Sequence, residues 1–235
     1  FSAAAIGQSI GFILSITTMI WKFDYRPQFI INRDVIKQVW YYCAGNYIAG
    51  ALNLLPVMIL PIIIINHLGS KEAAYFYIVM MIGGLLYVIP QATTKSLFAE
   101  GSHNEQTIKA NIKKSIRIIS LLLIPAIIIF LFSGKYILQF FGKSYSSEGL
   151  NFLYLITIAS IAVSTYYISA TLLRIKKNLY ALIITNIFYA ITIIMFSYLF
   201  LPLGLVGIGI AWLLGNIVAS IIGIISFYQW KIKKI

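Results

Sequence analysis

Acidic side chains are scarce in this chain of 235 residues: six Asp and Glu stand against eighteen Lys and Arg. When the long apolar stretches are laid out as membrane spans, none of the six (Asp24, Asp34, Glu72, Glu100, Glu105, Glu148) falls within a span core. Intramembrane carboxylates are the usual carriers of protons or sodium in pumps. Their scarcity argues against a carboxylate-coupled ion site in this part of the chain. A single cysteine, Cys43, excludes an intrachain disulfide and a cysteine metal site. The only histidines, His67 and His103, fall on opposite sides of the membrane by the same placement and cannot share a metal within one chain. No glycine-rich phosphate loop and no Ser/His/Asp set with a meeting point is present. The expectation is no catalytic residue, no metal, no cofactor and no enzyme. An initiator Met is also lacking, as are a basic n-region and a small-residue cleavage site. A signal peptide is therefore not expected, and the chain reads as part of a longer protein.

What is present is apolar length. Hydrophobic residues make up 60% and charged residues 10%, far from the balance of soluble domains. A helix crossing a bilayer needs about 20 mainly apolar residues. Seven stretches qualify: Ser2–Trp21, Val39–Ile65, Ala73–Lys95, Ile116–Ser133, Gly149–Leu173, Leu179–Leu201 and Leu203–Tyr228. Their continuity over twenty residues argues against the alternating strands of a barrel. The last two share the turn Leu-Pro-Leu-Gly and must form a tight antiparallel hairpin. Fifteen of the eighteen basic residues fall in alternate gaps, against three (Lys71, Lys135, Lys143) in the others. That is the positive-inside pattern of a multi-pass protein, with the chain starting outside and the C-terminus cytoplasmic. The +12 net charge flanks apolar spans, so membrane lipids are the expected partners and nucleic acid is not. The fold class is all-α, a polytopic helical membrane protein. Residues 1–21 read as the last helix of a missing N-terminal lobe, 22–38 as a cytoplasmic connection, and 39–235 as a six-helix membrane lobe.

Within the spans, Tyr42, Asn46, Ala49, Asn53 and Pro56 share one helix face. Two readings stand: hydrogen bonds between helices, or the wall of a hydrated substrate cavity. Pro56 and Pro61 are expected to interrupt this helix. Lys95 follows Pro90 and Gln91 near the end of the third span. Either it snorkels to headgroups, or it faces a cavity with Gln91 and attracts a phosphate. The substrate-cavity candidates are thus Tyr42, Asn46, Asn53, Gln91 and Lys95. Small residues recur every four positions at Gly207, Ala211, Gly215, Ala219 and Gly223, and at Ala3, Gly7, Gly11 and Ser15. Both stripes read as close helix packing. Trp21, Trp40, Tyr136, Tyr145 and Trp230 sit near expected interfaces. Residues 99–117, with Glu105 and Lys109 at i,i+4 spacing, are expected to form a cytoplasmic joining helix. Residues 135–148 are expected on the external interface.

Three stretches carry a family resemblance: "IIIINHLGSKEAAYFYIVMMI" (Ile62–Ile82), "ILQFFGKSYSSEGLNFLYLITIAS" (Ile137–Ser160) and "LLRIKKNLYALIITNIFYAITIIMFSYLFLPLGLVGIGIAWLLGN" (Leu172–Asn216). In order and spacing they resemble the C-terminal half of polysaccharide-transport flippases, the O-antigen type among them. These belong to the multidrug/oligosaccharidyl-lipid/polysaccharide exporter superfamily. The resemblance implies twelve or more helices in two lobes around a cationic cavity. It also implies alternating access that moves a polyprenyl-phosphate-linked oligosaccharide outward across the cytoplasmic membrane for surface polysaccharide biosynthesis. The alternative is another exporter of that superfamily, for drugs or for the peptidoglycan lipid precursor. Many relatives carry an acid in the helix before the Leu-Gly turn, whereas Val39–Ile65 has none. A membrane glycosyltransferase or polymerase would need a large external loop or clustered acids and His, which this chain lacks.

Overall fold

A computed structural model describes residues 2–23, 32–103 and 107–232. Among these residues eight α-helices follow one another: α1 Ser2–Phe23, α2 Arg33–His67, α3 Ser70–His103, α4 Ile108–Gln139, α5 Lys143–Glu148, α6 Leu150–Ile175, α7 Leu179–Leu199 and α8 Gly204–Ile232. A 3-10 turn, Leu201–Leu203, joins the last two, as the short turn required. No strand occurs among the described residues. Six helices, α2 to α4 and α6 to α8, are long and apolar enough to cross a membrane. Helix α1, 22 residues long, covers the first expected span. The chain divides into two compact units, Phe1–Trp40 and Tyr41–Ile235. The first contains α1 and the opening turns of α2, so the expected connection 22–38 is helical from Arg33.

In the second unit α6 is the hub, packed against α3, α4 and α8, with α7 against α8. Of the six candidate spans, α6 has the lowest mean hydropathy and is the most buried, while α4 has the highest and is the least buried. That inversion is what a bilayer imposes: the outer helix must satisfy lipid, the inner one only its neighbours. The buried hydroxyls of Thr157, Ser160, Ser164 and Ser169 in α6 stay satisfied by turning back on their own helix. Thr157 donates to Leu153 O at 2.8 Å, and Ser164 to Ser160 O at 2.7 Å.

Two expectations are corrected. Helix α2 runs unbroken through Pro56 and Pro61. Each proline removes one donor, but abandoning the rest of the ladder in a lipid environment would cost several more. Among the described residues no separate helix joins the third and fourth spans. Instead α3 continues to His103 and α4 begins at Ile108, tied by Lys114 to Glu100 at 3.0 Å. The expected pair partner Glu105 lies outside the described residues. At 34 and 32 residues both helices approach 50 Å, well beyond a hydrocarbon core of about 30 Å. On the other side α4 extends into the expected interfacial segment as far as Gln139, and α5 occupies the remainder. The Leu-Gly turn after α2 closes through Gly69, whose φ of 98° is open to glycine and whose N–H donates to Ile64 O at 3.0 Å.

The small-residue stripe of α8 packs as expected. A Cβ on Gly207 would strike the Phe200 carbonyl, one on Gly215 would strike Ile193, and Ala211 and Ala219 are wholly buried. In α1 no atom lies within 4 Å of the Cβ positions of Gly7 or Gly11.

Candidate substrate cavity

The helical period brings three polar faces together at the end of the lobe where the basic residues gather. Helix α2 contributes Tyr42, Cys43 and Asn46. Helix α3 contributes Gln91, Thr94, Lys95 and Phe98, at spacings of three and four. Helix α6 contributes Tyr167, Thr171 and Arg174, at i, i+4 and i+7. They enclose a cavity of about 610 Å³. Four of the five residues singled out from the sequence line it: Tyr42, Asn46, Gln91 and Lys95. The fifth, Asn53, lies two turns along α2 in an adjoining chamber of about 220 Å³. Gln91 and Tyr167 line both spaces and are joined by a 2.7 Å hydrogen bond from Gln91 Nε2 to the Tyr167 hydroxyl.

The amides of α2 also bridge helices, as the hydrogen-bonding reading of this face expects. Arg174 Nε donates to Asn46 Oδ1 at 3.2 Å, and Asn46 Nδ2 donates to Tyr42 O at 2.9 Å. The Tyr42 hydroxyl reaches back to Arg174 O at 3.5 Å. Asn53 Nδ2 donates to the Tyr166 hydroxyl at 3.1 Å, which donates to Asn186 Oδ1 at 2.7 Å. Ala49 and Pro56, on the same stripe, are buried packing residues. Tyr166→Phe should therefore cost about 1 kcal/mol, because it leaves the buried Asn186 oxygen without its donor. Thermal unfolding of the detergent-solubilised protein measures it, and an unchanged midpoint would show that water replaces the hydroxyl.

The electrostatics of the larger cavity are one-sided. Lys95 is exposed to it, and its ammonium has no ion-pair partner among the described residues. Arg174 is half-buried and, among the described residues, spends only Nε on Asn46, which leaves its terminal nitrogens as an open fork. No Asp or Glu lines either space. Two cations solvated by neutral amides and hydroxyls suit an anion with several acceptor oxygens, and a guanidinium fork suits phosphate in particular. Among the described residues no group of three His, Cys, Asp or Glu gathers to hold a metal.

Sequence reasoning missed Arg174, Tyr166, Tyr167, Thr171, Trp212 and Asn216 as lining residues. The spacing of Tyr167, Thr171 and Arg174 is the same helical-face signal that marked α2, but Arg174 had been counted only as a charge fixing topology.

A six-span helical lobe with a cationic, acid-free cavity defines the class: a polytopic helical membrane protein. The chain belongs to the polysaccharide biosynthesis protein family, whose model matches residues 2–148. Its fold is similar to that of a multidrug resistance MATE family transporter of the MOP superfamily, solved in an outward-facing conformation. The TM-score is 0.76 at 18% identity, over 92% of this chain and 53% of that one. The chain thus spans about half the length of that transporter. The comparison with curated proteins returned no match.

Proposed function

We propose that the chain is one lobe of a flippase that moves polyprenyl-phosphate-linked oligosaccharide units across the cytoplasmic membrane for surface polysaccharide biosynthesis. The observation that carries this reading is the pairing of Lys95 with the open fork of Arg174 in a cavity free of carboxylates. The lipid-linked phosphate is drawn to these cations while the glycan occupies the polar volume beyond. By the positive-inside pattern the cavity mouth and the C-terminus are cytoplasmic. A second lobe, outside these 235 residues, completes the path, and rocking of the two lobes exposes the cavity to either side in turn. The family description supports the glycan, and the likeness of fold supports the alternating lobes. A cationic drug is a poorer fit, since neither space offers an acid to balance it.

Cys43 supplies the test. It is the only cysteine of these 235 residues, it is exposed, and it lines the cavity beside Asn46. A membrane-impermeant maleimide should label it in inside-out vesicles and not in intact cells, and millimolar polyprenyl phosphate should slow labelling at least about threefold. Equal labelling from both sides, with no protection by the lipid phosphate, would reject the reading.

A further inference from the structure

The 220 Å³ chamber beyond the cavity is too large for one water, whose share of liquid volume is about 30 Å³, and smaller than the pockets of drug-sized ligands. Three observations say that it is kept open for something. The first is the glycine pair on α3. A Cβ on Gly83 would meet Ile156 at 2.5 Å, so packing against α6 accounts for that glycine. Gly84 lines the chamber, and no atom lies within 4 Å of where its Cβ would be. Glycine inside a helix is destabilising relative to alanine. Packing does not explain it at position 84, whereas reserved space does.

The second observation is unspent polar capacity. Tyr189 is 4% exposed, lines the chamber, and its hydroxyl has no hydrogen-bond partner among the described residues. Asn216, 2% exposed on the same wall, commits its amide nitrogen to Trp212 O at 2.8 Å, and its side-chain oxygen accepts no hydrogen bond among the described residues. The third is an aromatic wall. Tyr166 and Tyr189 stack at 5.7 Å, with Trp212 edge-on to Tyr189 at 6.3 Å. Apolar ring surface beside amide and hydroxyl groups matches a pyranose, which presents C–H faces and a rim of hydroxyls.

We infer that the chamber walled by Gly84, Tyr189, Trp212 and Asn216 is a pocket for one sugar ring, the ring adjoining the phosphate held at Lys95 and Arg174. The inference rests on the flippase reading above and adds to it where the glycan is recognised. The Gln91–Tyr167 hydrogen bond, shared by both spaces, parts to let the ring through.

The test uses the intact protein in detergent and four probes. These are short-chain polyprenyl phosphate alone, and the same lipid phosphate bearing one glucose, galactose or N-acetylglucosamine. The wild type should bind at least one glycosylated probe about tenfold more tightly than the bare lipid phosphate. Gly84→Leu, which adds an apolar side chain to the chamber wall, should abolish that advantage while binding of the bare probe stays within twofold. Tyr189→Phe, which removes one oxygen and keeps the ring, should reduce the advantage about threefold. If Gly84→Leu and Tyr189→Phe both retain the full advantage, or if the wild type binds all four probes equally, the sugar pocket is wrong and the phosphate site stands. If Gly84→Leu does not yield folded protein, Tyr189→Phe decides alone. If no probe binds the wild type, or if Lys95→Ala and Arg174→Ala leave bare-probe binding unchanged, it is the flippase reading that falls.

Discussion

Arg174→Glu and Lys95→Glu should each lower transport of lipid-linked glycan at least about 100-fold in the intact protein, and Arg174→Lys should fall between these and the wild type. A hundredfold loss corresponds to about 2.7 kcal/mol. That is within reach of placing an anion where a charge-assisted hydrogen bond to phosphate had been. Arg174 carries the larger share of the expectation because it performs two tasks at once. Its Nε holds Asn46 at 3.2 Å and through it the α2 backbone at Tyr42, while its terminal nitrogens have no hydrogen-bond partner among the described residues of the cavity it lines. Lysine has a single ammonium and no planar fork, so it can do one task or the other but not both. Lys95 is exposed and has no partner among the described residues to hold it, so Lys95→Ala should cost less, about tenfold, with the charge reversal accounting for the remainder. Surface glycan production by cells dependent on the variant, normalised to protein abundance, measures all four. Full activity of both Lys95→Ala and Lys95→Glu would remove the phosphate role from that residue.

How much of this was legible beforehand follows from what hydropathy records. Apolar continuity marks where lipid touches a helix, so the order of the spans and the Leu-Pro-Leu-Gly hairpin were readable, while the helix ends were not. Beyond the bilayer that signal ends although the helix does not. This is why residues 96–103 of α3 and 108–115 of α4 read as a connection, yet extend their own helices. The uninterrupted course of α2 through two prolines has the same origin: hydrogen-bond loss weighs more in lipid than the local clash. Asn46, Asn53, Gln91 and Lys95 stood out because polar groups in apolar runs are conspicuous. Tyr166, Tyr167 and Trp212 did not, since aromatic residues belong equally to cores, interfaces and binding walls. Which of those roles each plays is set by neighbours on other helices, and no period along one helix contains that information.

Two glycine-to-alanine exchanges, on α8 and α3, should move stability in opposite directions. In a helix interior alanine is favoured over glycine by about 0.8–1.0 kcal/mol, so a glycine that merely faces open space should gain by the change. Gly84→Ala meets no atom within 4 Å and should raise the unfolding midpoint. Gly207→Ala should lower it, by about 2–3 kcal/mol, because the new methyl group falls on the Phe200 carbonyl. That carbonyl cannot move aside cheaply. It accepts the Leu203 N–H at 2.9 Å, the bond that closes the turn between α7 and α8, and backbone has no alternative rotamer. The methyl must therefore either open the turn or push α8 away from α7, and the second course disrupts the whole seam. Along that seam Gly215 admits Ile193; farther along α8, Gly223 admits Ser169 of α6, and Ala211 and Ala219 are without exposure. Gly215→Leu should be more damaging still, since Ile193 is itself fully buried and has nowhere to retreat. Unfolding of the purified protein in mixed micelles, followed by far-ultraviolet circular dichroism, separates the cases. A Gly207→Ala protein as stable as the wild type would mean that α7 and α8 do not approach through the glycine face, and with it the hairpin geometry that sets Tyr189 opposite Trp212 would have to be abandoned.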